Sequence, residues 1–338
     1  MSLRIGLLGA TGLVGRTMLE VLEQRGFPAD APRLLASDRP RDTSLAYRGH
    51  ALPVEPVSAE AFRGLDLLLF ATTNPVSQEW AAVARAAAVP VVDNSSAFRY
   101  DDGVPLVVPE INGELLDARP ALVANPNCST IAIALALAPL HRAFRLERVT
   151  VATYQSASGG GADTLAALER GVVAGLEGPP PAREGGRPTL GWNVVPHIDR
   201  FEDNGYTREE MKVVWETRKI LGLPGLPVSA TAVRVPVRIG HAAAVSARFA
   251  AAVDPAAARA LWSAFPGLEV VDDPAQLRYP TPLEAAGRDA VLVGRARRDL
   301  SQPNALEVFV ASDNLRKGAA LNAVQIAERM GRARVAAR

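Results

Sequence analysis

The chain has 338 residues, 48% of them apolar, with 37 basic against 36 acidic side chains and a net charge of +1. That balance carries no electrostatic footprint for nucleic acid or an anionic membrane surface, so neither is expected as a partner. One cysteine excludes an internal disulfide, and four scattered histidines, His50, His141, His197 and His241, complete no zinc set with it, so no metal is expected.

The length suggests two domains. Met1 to Leu8 reads as a strand rather than a basic-then-apolar secretory segment. The longest apolar run, Ile131 to Leu140, is far short of the ~20 residues of a membrane helix, and a cytoplasmic protein is expected. After Leu3 to Leu8 come the Gly-rich stretch GATGLVG and a helical pattern from Arg16 to Arg25. Arg33 to Ser37 and Asp66 to Ala71 are strand candidates, followed by an Ala-rich helix from Gln78 to Ala88. Pro90 to Asp93, Pro105 to Val108 and Ala121 to Ala124 complete a set of continuous apolar strands. Strands buried on both faces and alternating with helices predict a Rossmann-type, doubly wound parallel sheet.

The rhythm then changes. Arg148 to Gln155 is longer and partly alternating, Gly178 to Pro188 is a loop by composition, and Ala230 to Val237, Ala243 to Ala250 and Leu306 to Ser312 read as strands of a second, mixed sheet. Lys317 to Met330 has helical periodicity. The expected class is α/β, with an N-terminal doubly wound domain followed by an α+β domain.

GATGLVG sits between a strand and a helix. Gly9, Gly12 and Gly15 allow a tight turn, close approach of a pyrophosphate and close helix packing, with the helix N-terminus facing the phosphates. At the end of the second strand, Asp38 suits a ribose 2′-hydroxyl, whereas Arg39 and Arg41 suit a 2′-phosphate, which leaves NAD and NADP both open by residue type.

The lone cysteine lies in ANPNCST, Ala124 to Thr130. Asn125 precedes proline and is biased to extended backbone, Asn127 is a good N-cap, and the apolar run that follows continues as a buried helix. Cys128 then occupies a first helical turn, where the dipole favours thiolate. By position alone it is either a nucleophile or a small packed side chain. A nucleophilic thiol beside a nicotinamide implies a hemithioacetal and a thioester, and an acid/base to serve them. His241, after RVPVRIG, can project from a loop or be a hydrogen-bonded structural residue. Gln155 ends a strand and can orient a substrate or cap a turn. Arg99 and Arg234 are anion-binding candidates, and an arginine within an apolar strand implies a buried partner or ligand. Glu209 and Lys212 share a helix face, and by themselves read as an ordinary surface ion pair.

GATGLVG, DNSSAFR, VPEIN, NPNCST, ATYQSASGGG, NGYTREEMK, RVPV with GH, and DNLRKGAALNAVQIAE occur in this order, nearly end to end. Together they closely resemble the aspartate-semialdehyde dehydrogenase family. The resemblance implies NADPH-dependent reduction of L-aspartyl 4-phosphate to L-aspartate 4-semialdehyde and phosphate, feeding lysine, methionine, threonine and diaminopimelate synthesis. It implies Cys128 as nucleophile, Gln155 as the residue positioning the bound intermediate, and His241 as acid/base, protonating the departing sulfur. It assigns Arg234 to the substrate α-carboxylate, Glu209 to its amino group, and Arg99, Lys212 and Asn127 to the phosphate. Cofactor contacts would be Gly9, Thr11, Gly12, Leu13, Val14, Gly15, Ser37, Arg39, Ser158, Gly159 and Asn314. A homodimer is implied, with a Rossmann domain at 1–127 completed by a helix at 317–338, and a catalytic and dimerisation domain at 128–316.

Two departures stand out. Related sequences commonly read SARS where this chain has Ser37 to Pro40, SDRP; Arg39 is kept, so NADP is the expected cofactor. Related sequences also have serine after the histidine, and Ala242 removes a hydroxyl expected to help orient the imidazole. The competing readings are N-acetyl-γ-glutamyl-phosphate reductase, of shared chemistry and fold, and a cofactor-binding paralogue without catalysis.

Overall fold

A computed structural model describes residues 2–29, 31–37, 43–179 and 181–335. The chain forms two compact units, Met1–Pro126 with Ala319–Arg338, and Asn127–Gly318.

In the first unit, β1 (Ile5–Leu8) leads into α1 (Leu13–Gln24), followed by β2 (Arg33–Ala36), β3 (Ser44–Tyr47), β4 (His50–Pro56) and β5 (Leu67–Phe70). Then come α2 (Asn74–Ala86), β6 (Val91–Asp93), a short α3 (Pro109–Asn112) and β7 (Leu122–Ala124). Sheet order is β3-β4-β2-β1-β5-β6-β7, parallel throughout except for the β3–β4 pair. Both faces are covered, which is why the strands read as unbroken apolar runs. Leu7, Leu69, Val92 and Val123 point into one core with Met18 and Leu22 of α1. Leu8, Leu68, Phe70 and Val91 point into the other, against Ala84 of α2 and Phe62. The order reverses between β1 and β5, and the glycine-rich turn leaves β1 at this switch point.

Pro105 to Val108 departs from the strand expected there. It runs extended beside β7 but makes only one bridge, Leu106 with Ala124, before Pro109 opens α3. Proline at the next position diverts the chain before a ladder can grow. The β3–β4 hairpin was not expected, because its alternating, half-exposed pattern lacks the apolar run of its neighbours.

The second unit begins with α4 (Cys128–Phe144), then β8 (Leu146–Gln155), α5 (Ala162–Glu177) and a two-residue ribbon of β9 (Arg183–Glu184) and β10 (Arg187–Pro188). This ribbon lies within the stretch expected to be loop. Next are α6 (Arg208–Leu221), β11 (Val228–Arg234), β12 (His241–Phe249), α7 (Pro255–Ser263), β13 (Leu268–Val270), α8 (Pro282–Ala285), β14 (Val291–Arg298) and β15 (Ala305–Ser312). The sheet order is β11-β8-β12-β15-β14-β13, with parallel pairs at both ends and antiparallel pairs between them. It is the expected mixed sheet. Ser129 to Leu140 of α4 are buried on every side, which explains a helix without a polar face. Trp262 of α7 donates its indole N–H to the Ala136 carbonyl at 2.8 Å.

The chain then re-enters the first unit, where α9 (Leu321–Val335) packs Leu321, Val324, Ile326 and Met330 into the core shared with α1. Asn322 donates to the Asn125 side-chain oxygen at 2.7 Å and to the Val107 carbonyl at 2.9 Å. Asn125 donates to Asn94 at 2.6 Å. Among the described residues, no helix is long and apolar enough to cross a membrane.

Candidate active site

The site is built from the N-terminus of α4. Asn127 caps this helix, its Oδ1 accepting from the backbone N–H of Ser129 at 3.0 Å and of Thr130 at 3.2 Å. Cys128 is the first helical residue and is half-buried. A Cβ on Gly318 would stand 3.0 Å from the Cys128 Cβ, so the chain passes directly behind the nucleophile candidate.

Helix α6 holds Asn127 from a second side. Thr207 and Glu210 form a capping box that starts α6 and places Glu209 in its first turn. Asn127 Nδ2 donates to Glu209 Oε1 at 2.9 Å, and its backbone N–H donates to Glu216 Oε2 at 2.5 Å. Gln155, at the end of β8, donates to the same Glu209 oxygen at 3.1 Å and to Thr153 Oγ1 at 3.3 Å. Lys212 donates to Glu209 Oε2 at 3.1 Å and to Asp199 at 2.8 Å. Glu209 and Lys212 therefore form no ordinary surface pair. Burial by itself would raise the Glu209 pKa, but the Lys212 charge and three hydrogen bonds outweigh it and hold the carboxyl below its usual value. Burial would lower Lys212, and the Glu209 and Asp199 charges outweigh that, raising it.

Arg234 ends β11, where its NH1 donates to the Ser156 carbonyl at 2.7 Å. Burial lowers its pKa against the pull of the Cys128 and Glu209 charges. It also borders a cavity of about 610 Å³ lined by Asp163, Arg170, Arg187, His197 and Asp199. His241 opens β12 and is 2% exposed. Its Nδ1 lies 3.0 Å from both the backbone N and the Oγ of Ser156, while Nε2 has no hydrogen-bond partner among the described residues. Burial, then the Arg234 charge, lowers its pKa to about 3. A Cβ on Gly159 would come within 2.9 Å of His241 Nε2 and 3.0 Å of Arg234 NH1, so a side chain there would crowd both groups.

Ser158 and Asn314 are buried beside this ring. Asn314 Oδ1 accepts from Ser156 Oγ at 3.1 Å, Ser158 Oγ at 3.2 Å and the Gly240 N–H at 2.9 Å. Ala242 alternates to the opposite face from His241 and packs with Ala285, Leu292 and Ala311. A hydroxyl at 242 would face that cluster rather than the imidazole, so the orienting role expected there falls to Ser156. Cys128, Asn127, Gln155, Glu209, Lys212, Arg234 and His241 all belong to the second unit, and Arg99 to the first. Arg99 is buried there and donates to the Asn94 carbonyl at 2.9 Å.

The dinucleotide candidates also lie in the first unit. Gly9 has φ +87°, and a Cβ there would strike the Ala71 carbonyl oxygen at 2.2 Å. A Cβ on Gly15 would strike the Gly9 oxygen at 2.1 Å. Gly12 caps α1 with no side chain hydrogen-bonded to the helix start, and a Cβ there would meet nothing nearer than 3.5 Å. The turn thus leaves helix N–H donors facing outward, which fits a pyrophosphate. Thr11, Leu13 and Val14 are half-exposed along it, and Ser37 is exposed. Asp38, Arg39 and Arg41 lie outside the described residues.

Ser156, Asp199 and Glu216 were not singled out from the sequence. Glu216 was within reach, since it lies two helical turns beyond Glu209 on the same face. Ser156 looked like one more turn residue in SASGGG, and Asp199 sits in an aperiodic loop that carries no signal.

Residues 4–119 match the family described as semialdehyde dehydrogenase, NAD binding domain, and residues 137–317 match semialdehyde dehydrogenase, dimerisation domain. The aspartate-semialdehyde dehydrogenase of Legionella pneumophila is 46% identical over 329 residues, covering 96% of this chain and 95% of that protein. Its counterpart in Bacillus subtilis (strain 168) is 42% identical over 336 residues, 96% of each chain. The crystal structure of aspartate semialdehyde dehydrogenase II from Vibrio cholerae superposes with a TM-score of 0.94 at 42% identity, covering 98% of this chain and 99% of that one. The same Vibrio enzyme complexed with ASA also gives 0.94, at 41% identity and the same coverage. By sequence and fold alike, this chain belongs to the aspartate-semialdehyde dehydrogenase family.

Proposed function

We propose that the chain reduces L-aspartyl 4-phosphate to L-aspartate 4-semialdehyde and phosphate with NADPH, as a cytoplasmic homodimer serving lysine, methionine, threonine and diaminopimelate synthesis. The observation that carries this reading is a half-buried cysteine on the first turn of a buried helix, within the field of a half-buried arginine that also neighbours a buried histidine. The helix start and the Arg234 charge both favour thiolate. The thiolate attacks the acyl carbon, the bond to the phosphate oxygen breaks, and phosphate leaves with the electron pair, giving a Cys128 thioester. A reduced nicotinamide dinucleotide, when bound on the glycine-rich turn, supplies the hydride that the thioester accepts.

The surrounding residues bind and orient. Arg234 offers a planar guanidinium to the α-carboxylate. Glu209 faces the amino group while ordering Asn127 and Gln155. Lys212 and Arg99 serve the phosphate, with Asn127 fixing the helix start beside it. His241 presents Nε2 to the reacting atoms. Gly9, Thr11, Gly12, Leu13, Val14, Gly15, Ser37, Arg39, Ser158, Gly159 and Asn314 make up the cofactor set, and Arg39 supports NADP over NAD. The domain of 1–127 with 317–338 carries the glycine-rich turn, Ser37 and Arg39 of that set, and the domain of 128–316 carries catalysis, dimerisation and the remaining cofactor contacts. Neither alternative is retained: the relatives carry the aspartyl name, and Cys128, Arg234 and His241 are all in place.

The test is a steady-state assay of semialdehyde oxidation with phosphate, run with NADP and then NAD, and repeated with N-acetyl-glutamate semialdehyde. Phosphate-dependent turnover of the aspartyl substrate that is lost in Cys128→Ser is expected. Near-normal activity of that variant would exclude covalent catalysis through this thiol.

A further inference from the structure

The Lys212 ammonium lies between two carboxylates of different standing. On one side is Glu209, 3.1 Å away and one turn earlier on α6. Its side chain is 6% exposed and its other oxygen accepts from Asn127 and Gln155, so it is fixed in place. On the other side is Asp199, at 2.8 Å, whose side chain is 37% exposed and lines the cavity that Arg234 borders. Asp199 belongs to a loop and has φ +68°, a left-handed conformation that aspartate tolerates. Its Oδ1 accepts the Arg200 N–H at 2.8 Å, leaving Oδ2 for the ammonium. Burial would raise the Asp199 pKa, but the hydrogen bonds from Lys212 and the Arg200 N–H outweigh it and hold the carboxyl below its usual value. Asp199 is therefore an anion at neutral pH.

As they stand, these charges do not suit a phosphate. One positive and two negative groups leave the three at −1 before any anion arrives. The Arg234 charge also acts on Glu209, but the substrate α-carboxylate takes that arginine in the proposed reaction. A phosphate dianion would add to the negative excess, and like charges a few ångströms apart repel strongly in a part-buried site. Nor is Asp199 needed to anchor Lys212, because Glu209 already does so from the same helix. Of the three ammonium hydrogens, Glu209 and Asp199 take two among the described residues.

We propose that Asp199 acts through Lys212 as a competing anion: it pairs with the ammonium while the phosphate seat is empty, yields it when phosphate or the acyl phosphate binds, and reclaims it as phosphate leaves. This rests on the reading that Lys212 serves the phosphate. The exchange makes and breaks no covalent bond. Its use lies in the direction of the reaction. Phosphate held beside a newly formed thioester can attack the acyl carbon, expel the Cys128 thiolate and restore the acyl phosphate, the reverse of the step that freed it. A carboxylate that takes the ammonium back weakens phosphate binding and so favours the thioester. Glu209 cannot play this part, because Asn127 and Gln155 hold it in place. Asp199, half-exposed on a loop at the cavity, can.

The experiment titrates the intact protein with inorganic phosphate by calorimetry at fixed pH and ionic strength, comparing the wild type with Asp199→Asn, Asp199→Gly and Lys212→Ala. Asp199→Asn keeps an acceptor for the Arg200 N–H and a residue that tolerates positive φ, and Asp199→Gly suits the same backbone with no side chain at all. In both, the Kd for phosphate should fall by about tenfold, the scale of one charge removed from a few ångströms away. In semialdehyde oxidation the KM for phosphate should fall in parallel, with the KM for the semialdehyde within about twofold. A residue that merely supported Lys212 would give the opposite sign, because a loosened ammonium binds phosphate more weakly. An unchanged or raised Kd in both Asp199 variants would therefore overturn the inference. Lys212→Ala should weaken phosphate binding by about tenfold or more. A Kd untouched by Lys212→Ala would sink the phosphate reading and the inference with it. Weakening in Lys212→Ala without tightening at Asp199 would sink the inference alone.

Discussion

Two buried titratable side chains of the site give the protein a common sensitivity to acid. Glu209 has its folded pKa depressed, so its contribution to stability is present above the unfolded carboxylate pKa and is lost as pH falls through the folded value. His241 is buried neutral, with a folded pKa of about 3 against 6.5 when unfolded. Between those values the unfolded chain binds the extra proton, so stability falls as pH drops, by up to ~1.4 kcal/mol per pH unit. Denaturant unfolding followed from pH 7 downward should therefore be steeper in the wild type than in His241→Asn, which lacks that proton. Parallel curves would show that the imidazole is not held neutral by the fold.

At the level of elements, the start of α4 is gripped at three points: the Asn127 side chain, its backbone N–H, and the close pass of Gly318. Asn127→Ala removes a helix cap, a change that costs about 1 kcal/mol in general. It also takes one donor from the buried Glu209 carboxylate, which adds about 1–3 kcal/mol. Thermal unfolding should show a loss of roughly 2–4 kcal/mol together with a fall in kcat. Gly318→Ala works differently. Its new methyl would press on the Cys128 Cβ at 3.0 Å and on the α4 backbone at 3.3 Å, so the nucleophile must shift. Misplacement of a reacting atom by as much as an ångström costs on the order of 10²-fold in rate. Activity should therefore fall far more than stability, and equal relative losses would count against the proposed place of Cys128.

At the scale of the whole molecule, the two units have separate cores, and the proposed function gives them separate tasks. Ligand linkage reads the first of them. NADP at about 100 times its Kd should stabilise the protein by ~2.7 kcal/mol, raising Tm in a concentration-dependent way, and NAD at equal concentration should do less. Gly9→Ala should abolish the shift, since its Cβ would meet the Ala71 carbonyl oxygen and the φ of +87° disfavours any side chain. A Tm that ignores NADP in the wild type would argue against cofactor binding on this turn. Light scattering should report twice the chain's mass in solution, and a monomer at micromolar concentration would contradict the proposed homodimer.

What the sequence determined by itself was local or periodic. Continuous apolar strands require a sheet covered on both faces, a glycine at 9 is forced by the turn it makes, and asparagine before an apolar run caps a helix. These signals concern residues a few positions apart, and so the class, the glycine-rich turn and the cap at Asn127 were legible. The order of motifs named the family for the same reason. Tertiary structure alone decided which side chains meet. It turned Glu209 and Lys212 from a surface pair into a hub around the buried Glu209 carboxylate, with Asn127, Gln155 and Asp199. It gave Ser156, rather than position 242, the task of holding His241. Those contacts join residues 82, 54 and 85 positions apart. Hydrogen bonds and burial over such separations depend on how the sheet and helices close in space, and no run of neighbouring residues encodes them.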